Sequence, residues 1–154
     1  MHKPVRFVCI LLVGGFVLIQ FFQPERNHGT IDPEIDLLTY STIPDSLANI
    51  LMNSCYNCHS NRTNYPWYSY IAPVSWMLQR HVDRGKKELN MSNFGDLEKS
   101  QKIGVLADLC DVIESGSMPL KSYLIIHRNA RITDSETELF CDWTELEALR
   151  IMRE

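Results

Sequence analysis

The sequence predicts an all-α protein, and three observations lead to this prediction. Apolar residues recur at intervals of three and four in several segments, which is the period of an amphipathic helix. No segment of useful length alternates apolar and polar residues as a half-buried strand does. The chain has 154 residues and 45% hydrophobic composition, enough for one compact domain with a single core and an additional N-terminal segment.

The N-terminal residues predict a membrane helix. Residues 7–22 are apolar apart from Gln20 and a glycine pair, and Lys3 and Arg6 precede them. This is the charge layout of an export signal. No small-residue cleavage site follows, so residues 1–23 are interpreted as an uncleaved signal anchor in preference to a cleaved signal peptide. The basic residues place the N-terminus in the cytoplasm and the remainder of the chain on the periplasmic side.

The next two parts of the chain differ in composition. Residues 24–44 are polar, contain three prolines and a glycine, and show no period, so we expect a linker that lifts the domain off the membrane. Residues 45–154 carry the helical patterns and are expected to fold as the domain.

The first two predicted helices of the domain flank a cysteine motif. The first begins at Asp45 or Ser46 and runs into Cys55. The second begins at about Ala72 and ends at Gly85. One face of this second helix carries Val74, Met77, Leu78 and His81.

The last two predicted helices contain one further cysteine each. The inward face of the third helix is predicted to carry Ile103, Leu106, Ala107, Cys110 and Ile113, and Gly116 ends it. The fourth helix opens with a capping box at Thr133 and Glu136, and its inward face is predicted to carry Leu139, Phe140, Trp143 and Leu146. Cys141 lies off that face, so two separate thiols are expected in preference to a disulfide.

The most informative motif is Cys55-Tyr56-Asn57-Cys58-His59. Two thiols three residues apart followed by an imidazole is the arrangement that attaches a c-type haem. The thiols form thioethers with the haem and the histidine binds its iron. A thioredoxin-like redox site would need a strand before the motif, and a zinc site would need a second Cys/His pair at short spacing. The sequence shows neither, and the motif predicts one covalently bound haem c.

The sixth iron ligand is predicted to be Met118. It lies in Gly116-Ser117-Met118-Pro119, on a loop after the third helix, where a thioether can reach the iron opposite His59. His81 is the alternative sixth ligand, His127 is a weaker one, and an open sixth site is a further possibility. Four other methionines, Met52, Met77, Met91 and Met152, are expected to fill gaps in the core.

Residues 45–143 resemble the bacterial haem-binding domain family, a group of small cytochrome c-like monohaem proteins. The resemblance rests on Cys55-x-x-Cys58-His59-Ser60, Thr63-x-x-Pro66-Trp67-Tyr68, Trp76-x-x-x-x-His81-Val82-x-x-Gly85, Gly116-x-Met118-Pro119, and the segment from Thr133-Asp134-x-Glu136 to Asp142-Trp143. It implies covalent haem, a proximal histidine and a mostly helical fold. Cys110 and Cys141 are outside this pattern.

These observations predict a membrane-tethered periplasmic c-type cytochrome that transfers single electrons between redox protein partners. It is expected to be a carrier in preference to an enzyme. The alternative is a haem-based peroxidase or gas sensor with an open or labile sixth site. Without its first 22 residues the chain has 13 basic and 19 acidic residues, a net charge of −6, and nucleic acid is therefore excluded as an expected partner.

Overall fold

A computed structural model describes residues 3–153, and their regular structure is helical throughout. The α-helices are α1 (Lys3–Ile19), α2 (Leu37–Tyr40), α3 (Asp45–Ser54), α4 (Tyr56–His59), α5 (Val74–Glu88), α6 (Lys99–Glu114), α7 (Lys121–Leu124) and α8 (Asp134–Arg153). Three short 3-10 helices lie at Trp67–Tyr70, Met91–Asp96 and Arg128–Ala130. Within the described residues no strand forms beyond one isolated bridge between His28 and Arg62. The all-α prediction is confirmed.

Helix α1 is apolar and exposed along its length, because none of its residues packs into the core. Among residues 3–153, no helix is both long enough and apolar enough to cross a membrane. With 17 residues, α1 is about 26 Å long, whereas the hydrocarbon layer of a bilayer is about 30 Å thick. The predicted membrane helix is therefore corrected to an exposed apolar helix.

Residues 24–44, expected to be a linker that lifts the domain off the membrane, pack against the domain. The side chain of Asn27 donates to the carbonyl of Ser60 and to the hydroxyl of Thr63, both at 2.9 Å. Further along, Leu37 is fully buried in the core. Leu38, Tyr40 and Ile43 also pack against the core, so the attachment is both polar and apolar.

The core lies between α3, α6, α8 and the 3-10 helix Met91–Asp96. Phe94 and Phe140 are its largest fully buried side chains. The complete cluster comprises Leu37, Leu47, Leu51, Tyr56, Met91, Phe94, Leu106, Leu109, Ile113, Phe140, Trp143 and Ile151. Met91 is the one predicted core methionine that is buried, whereas Met52, Met77 and Met152 are about half exposed and were wrongly predicted.

The signals at the ends of α6 and α8 act as the sequence predicts. Gly116 has a φ of 65°, the left-handed conformation that ends many helices, and its N–H donates to the carbonyl of Ile113. At the start of α8, the N–H of Thr133 donates to the carboxylate of Glu136 at 2.8 Å, as a capping box requires.

The inward face of α8 is rotated from the predicted one. Its buried residues are Phe140, Trp143, Thr144, Glu147 and Ile151, whereas Leu139 and Leu146 are exposed. Glu147 can be buried because Arg150 donates to both of its carboxylate oxygens, at 2.8 and 2.7 Å. Burial alone would raise the pKa of Glu147, but the hydrogen bonds and the positive charge of Arg150 hold that pKa below its ordinary value.

This rotation corrects the prediction for Cys110 and Cys141. The two residues form a disulfide between α6 and α8, with an S–S distance of 1.98 Å and a Cα–Cα distance of 4.9 Å. The expectation of two separate thiols was wrong because the inward face of α8 turns toward Cys141. On α6, Ala107 is exposed and Leu109 is buried in addition to the predicted Leu106 and Ile113.

Candidate haem site

The cysteine motif occupies the junction between α3 and α4, as predicted. Helix α3 ends at Ser54, and Cys55 leaves helical geometry with a φ of −122°. One new turn then follows, in which the N–H of His59 donates to the carbonyl of Cys55 at 3.0 Å. Both thiols are unbonded and half-buried. The turn therefore brings two thiols and an imidazole together within five consecutive residues.

The two residues between the cysteines fix this turn to the rest of the domain. The hydroxyl of Tyr56 donates to Asp36 at 2.8 Å in a buried hydrogen bond. The side-chain amide of Asn57 donates to the hydroxyl of Tyr123 at 2.9 Å, and the backbone carbonyl of Asn57 accepts from the hydroxyl of Thr63 at 2.8 Å. The motif thus specifies anchors as well as ligands, although its spacing alone identified only the ligands.

Gly85 lets α5 approach the motif closely. A Cβ atom at this position would lie 2.8 Å from the carbonyl oxygen of Cys58 and 3.1 Å from its Cβ. Real Cβ atoms do not make contacts this short, so glycine is required by the packing. The sequence predicts that the helix ends at Gly85. It is instead a buried interior position, because α5 continues to Glu88.

The imidazole of His59 is oriented by a backbone carbonyl. Its Nδ1 lies 3.0 Å from the carbonyl oxygen of Leu89, which requires a proton on Nδ1 and leaves the lone pair on Nε2. Burial lowers the pKa of His59, partly opposed by the carbonyls of Leu89 and Gly85 and by Glu88. A neutral imidazole whose second nitrogen is held in this way is the usual form of a metal-binding histidine.

The thiols of the motif differ from those of a redox dithiol. Burial, with a smaller effect of Cys58, raises the pKa of Cys55 to about 12, and burial also raises the pKa of Cys58. Redox-active Cys-x-x-Cys sites instead lower the pKa of one thiol. Across residues 3–153, no group of three or more His, Cys, Asp or Glu side chains is placed to hold a metal ion. The thioredoxin-like and zinc alternatives thus gain no support.

A cavity of about 360 Å³ contains three of the four predicted site residues. Cys55, His59 and Met118 all line it. Its apolar walls come from Leu89, Met91, Val105, Leu109, Val112 and Ile113. The N–H of Met118 donates to the carbonyl of Val112 at 2.9 Å, which ties the methionine loop to the end of α6. The structure therefore brings together residues that are about 60 positions apart in sequence.

A second, smaller cavity of about 100 Å³ lies on the Cys58 side of the motif. His81 and His127 line this cavity and do not line the one that contains His59. The hydroxyl of Tyr68 is hydrogen bonded to Nε2 of His127, whose ring stacks on Tyr123 with centroids 4.2 Å apart. Among the three candidate sixth ligands, Met118, His81 and His127, the geometry therefore favours Met118.

The residues present fit a haem. The donor set comprises a neutral imidazole, a thioether and two protonated thiols, and the walls of the larger cavity are mainly aliphatic. These are the groups that attach, ligate and desolvate a covalent haem. Three carboxylates that the sequence analysis did not identify, those of Glu88, Asp108 and Asp111, also line the larger cavity.

Comparison with known proteins agrees with this geometry. The sequence model of the haem-binding domain family matches residues 14–146, which include the cysteine motif, Met118 and the segment 24–44. Searches of curated proteins and of solved structures gave no match. Because the match covers most of the chain, the protein belongs to the haem-binding domain family.

Proposed function

We propose that this protein is a c-type cytochrome that transfers single electrons between redox protein partners. Cys55 and Cys58 would hold one haem covalently, and His59 and Met118 would bind its iron. One observation carries the proposal: Cys55, His59 and Met118 line the same cavity, although Met118 is remote in sequence. The haem, when bound, supplies one-electron chemistry at its iron.

The residues around the cavity support a carrier. The aliphatic walls would exclude water from the site, and the Leu89 carbonyl would keep His59 in one tautomer. A thioether ligand raises the reduction potential of a haem relative to a second histidine. Glu88, Asp108 and Asp111 are exposed at the cavity and favour a partner with a basic docking surface.

The test is an absorption spectrum of the full chain produced with a cytochrome c maturation system, combined with a haem-stained denaturing gel. We expect a stain that survives denaturation and a six-coordinate low-spin spectrum that carbon monoxide does not change. A haem that extracts freely into acidified organic solvent would contradict covalent attachment. A high-spin spectrum that shifts with carbon monoxide would instead support the peroxidase or gas-sensor alternative.

We also propose that the chain is exported and that α1 keeps it at the outer face of the cytoplasmic membrane. Two observations support this location. Lys3 and Arg6 lie at the start of α1, an apolar helix without a buried residue, and Cys110 and Cys141 form a disulfide, which persists in oxidising compartments. Protease added to spheroplasts should degrade the haem-stained protein. Protection in intact spheroplasts with degradation after lysis would place the domain in the cytoplasm.

A further inference from the structure

Large apolar and aromatic side chains are exposed on the domain close to the end of α1. Trp67 is 76% exposed and Tyr70 54%, while Ile71 and Trp76 are each 38% exposed. We refer to these four residues as the aromatic collar. A domain of this size normally shields such a group of side chains, and an exposed apolar patch marks an interaction surface.

The collar is attached to the residues that directly follow α1. The side chain of Gln20 pairs with the backbone of Ala72, donating to its carbonyl at 3.1 Å and accepting from its N–H at 2.8 Å. The indole N–H of Trp76 donates to the carbonyl of Phe22. Phe21 and Phe22 are themselves 80% and 71% exposed. The apolar surface of α1 is therefore continuous with the collar.

A cation completes this surface. The guanidinium of Arg26 lies 3.7 Å from the ring centroid of Tyr70 and 4.8 Å from that of Tyr65. It also donates to the carbonyl of Ser69 at 3.2 Å. A guanidinium in contact with two phenol rings combines side chains that favour the interface between lipid and water.

We propose that the aromatic collar lies in the headgroup layer of a phospholipid bilayer and sets the orientation of the haem domain on the membrane. This inference rests on the proposed location of the chain at the membrane and adds a second, domain-borne contact to α1. Tryptophan and tyrosine rings prefer the headgroup region because one end is apolar and the other forms hydrogen bonds. The collar is continuous with the apolar surface of α1, so one bilayer would cover the collar and α1 together. This continuity favours lipid over a protein partner.

The test uses the full chain with its haem bound, its haem iron in the ferrous state and its tryptophans replaced by fluorotryptophan. This protein is mixed with vesicles of phosphatidylethanolamine and phosphatidylglycerol. Some of the phosphatidylcholine added to these vesicles carries a nitroxide near the top of its acyl chain. Fluorine resonances, assigned with Trp→Phe variants, report each indole separately. We expect Trp67 and Trp76 to lose most of their signal near the nitroxide. Trp143, which is buried and donates to the carbonyl of Thr42, should keep its signal.

Flotation of the same samples separates the two proposals. Chains that float with the vesicles while Trp67 and Trp76 keep their signals would overturn the collar and leave the membrane location intact. Chains that do not float would overturn both the collar proposal and the membrane location. The haem stain would still test the cytochrome proposal independently. The double variant Trp67→Gln with Tyr70→Gln should still float with the vesicles, and the fluorine signal of Trp76 should be restored. Ile125→Gln, which changes an exposed side chain outside the collar, should leave the loss at Trp76 unchanged.

Discussion

The two pairs of cysteines in the domain behave in opposite ways. Cys55 and Cys58 are three positions apart, lie in one turn and are not bonded to each other. Cys110 and Cys141 are 31 positions apart, lie on different helices and form a disulfide. Short spacing thus accompanies free thiols and long spacing accompanies a bond. The chemistry of a cysteine in this protein depends on its surroundings more than on the nearness of another cysteine.

The surroundings of the two pairs explain the difference. Burial raises the pKa of both motif thiols, which disfavours the thiolate that thiol–disulfide exchange needs. The second pair lies where α6 and α8 pack together, and the Cα atoms are 4.9 Å apart, within the range that a disulfide needs. One pair is placed to receive a cofactor and the other to join two helices.

The largest effect is expected from removing the motif thiols. The double variant Cys55→Ala with Cys58→Ala should lose covalent haem completely, because no thioether can form. The double variant Cys110→Ala with Cys141→Ala should keep the haem stain. The measurement is a haem-stained denaturing gel of both variants beside the unmodified chain. Equal stain loss in both would mean that the second pair is required for haem attachment, and the comparison would fail.

The next effect separates the candidate sixth ligands. Met118→Ala should convert the low-spin spectrum to a high-spin form that binds carbon monoxide, since Met118 shares its cavity with His59. His81→Ala should leave the spectrum unchanged, since His81 lines the smaller cavity. The opposite pattern, with the spin state changed only by the histidine variant, would identify His81 as the ligand.

Local sequence patterns predicted much of this fold and less of its long-range packing. The bounds of α3, the end of α6 and the start of α8 follow from helical periodicity, Gly116 and the Thr133 capping box. The rotation of α8 does not, because Glu147 becomes a buried residue only through its pairing with Arg150. An apolar pattern assigns leucines to the core and carboxylates to solvent. In α8, Leu139 and Leu146 are exposed and Glu147 is buried.

The candidate site shows the same limit. The spacing of Cys55, Cys58 and His59 predicted the ligand-bearing turn, and the Met118 loop was identified from its residue types. The carbonyl of Leu89, which orients His59, carries no sequence signal because every residue has a carbonyl. The role of Gly85 depends on a contact with Cys58, across 27 positions, that periodicity within α5 cannot report.

A smaller effect is expected from opening the disulfide. Removing it with Cys110→Ala and Cys141→Ala should lower the free energy of unfolding by about 3 to 4 kcal/mol, from the entropy of a closed loop of this length. Urea unfolding of the haem-loaded chain with and without the two substitutions measures this loss. Thiol counting on the unfolded, unreduced protein provides the control. Cys9 should react, and Cys110 and Cys141 should react only after reduction.

The smallest effect is expected from the close packing around the motif, which two glycines inside helices can test. Gly85→Ala should destabilise the domain by about 1 to 3 kcal/mol, because the new methyl group would lie 2.8 Å from the carbonyl oxygen of Cys58. Gly104→Ala, in α6, meets nothing within 4 Å and should stabilise by up to about 1 kcal/mol, through helix propensity alone. Urea unfolding measures both. Similar stabilisation by the two substitutions would show that α5 can move away from the motif at little cost, and that Cys58 is not held by the packing of Gly85.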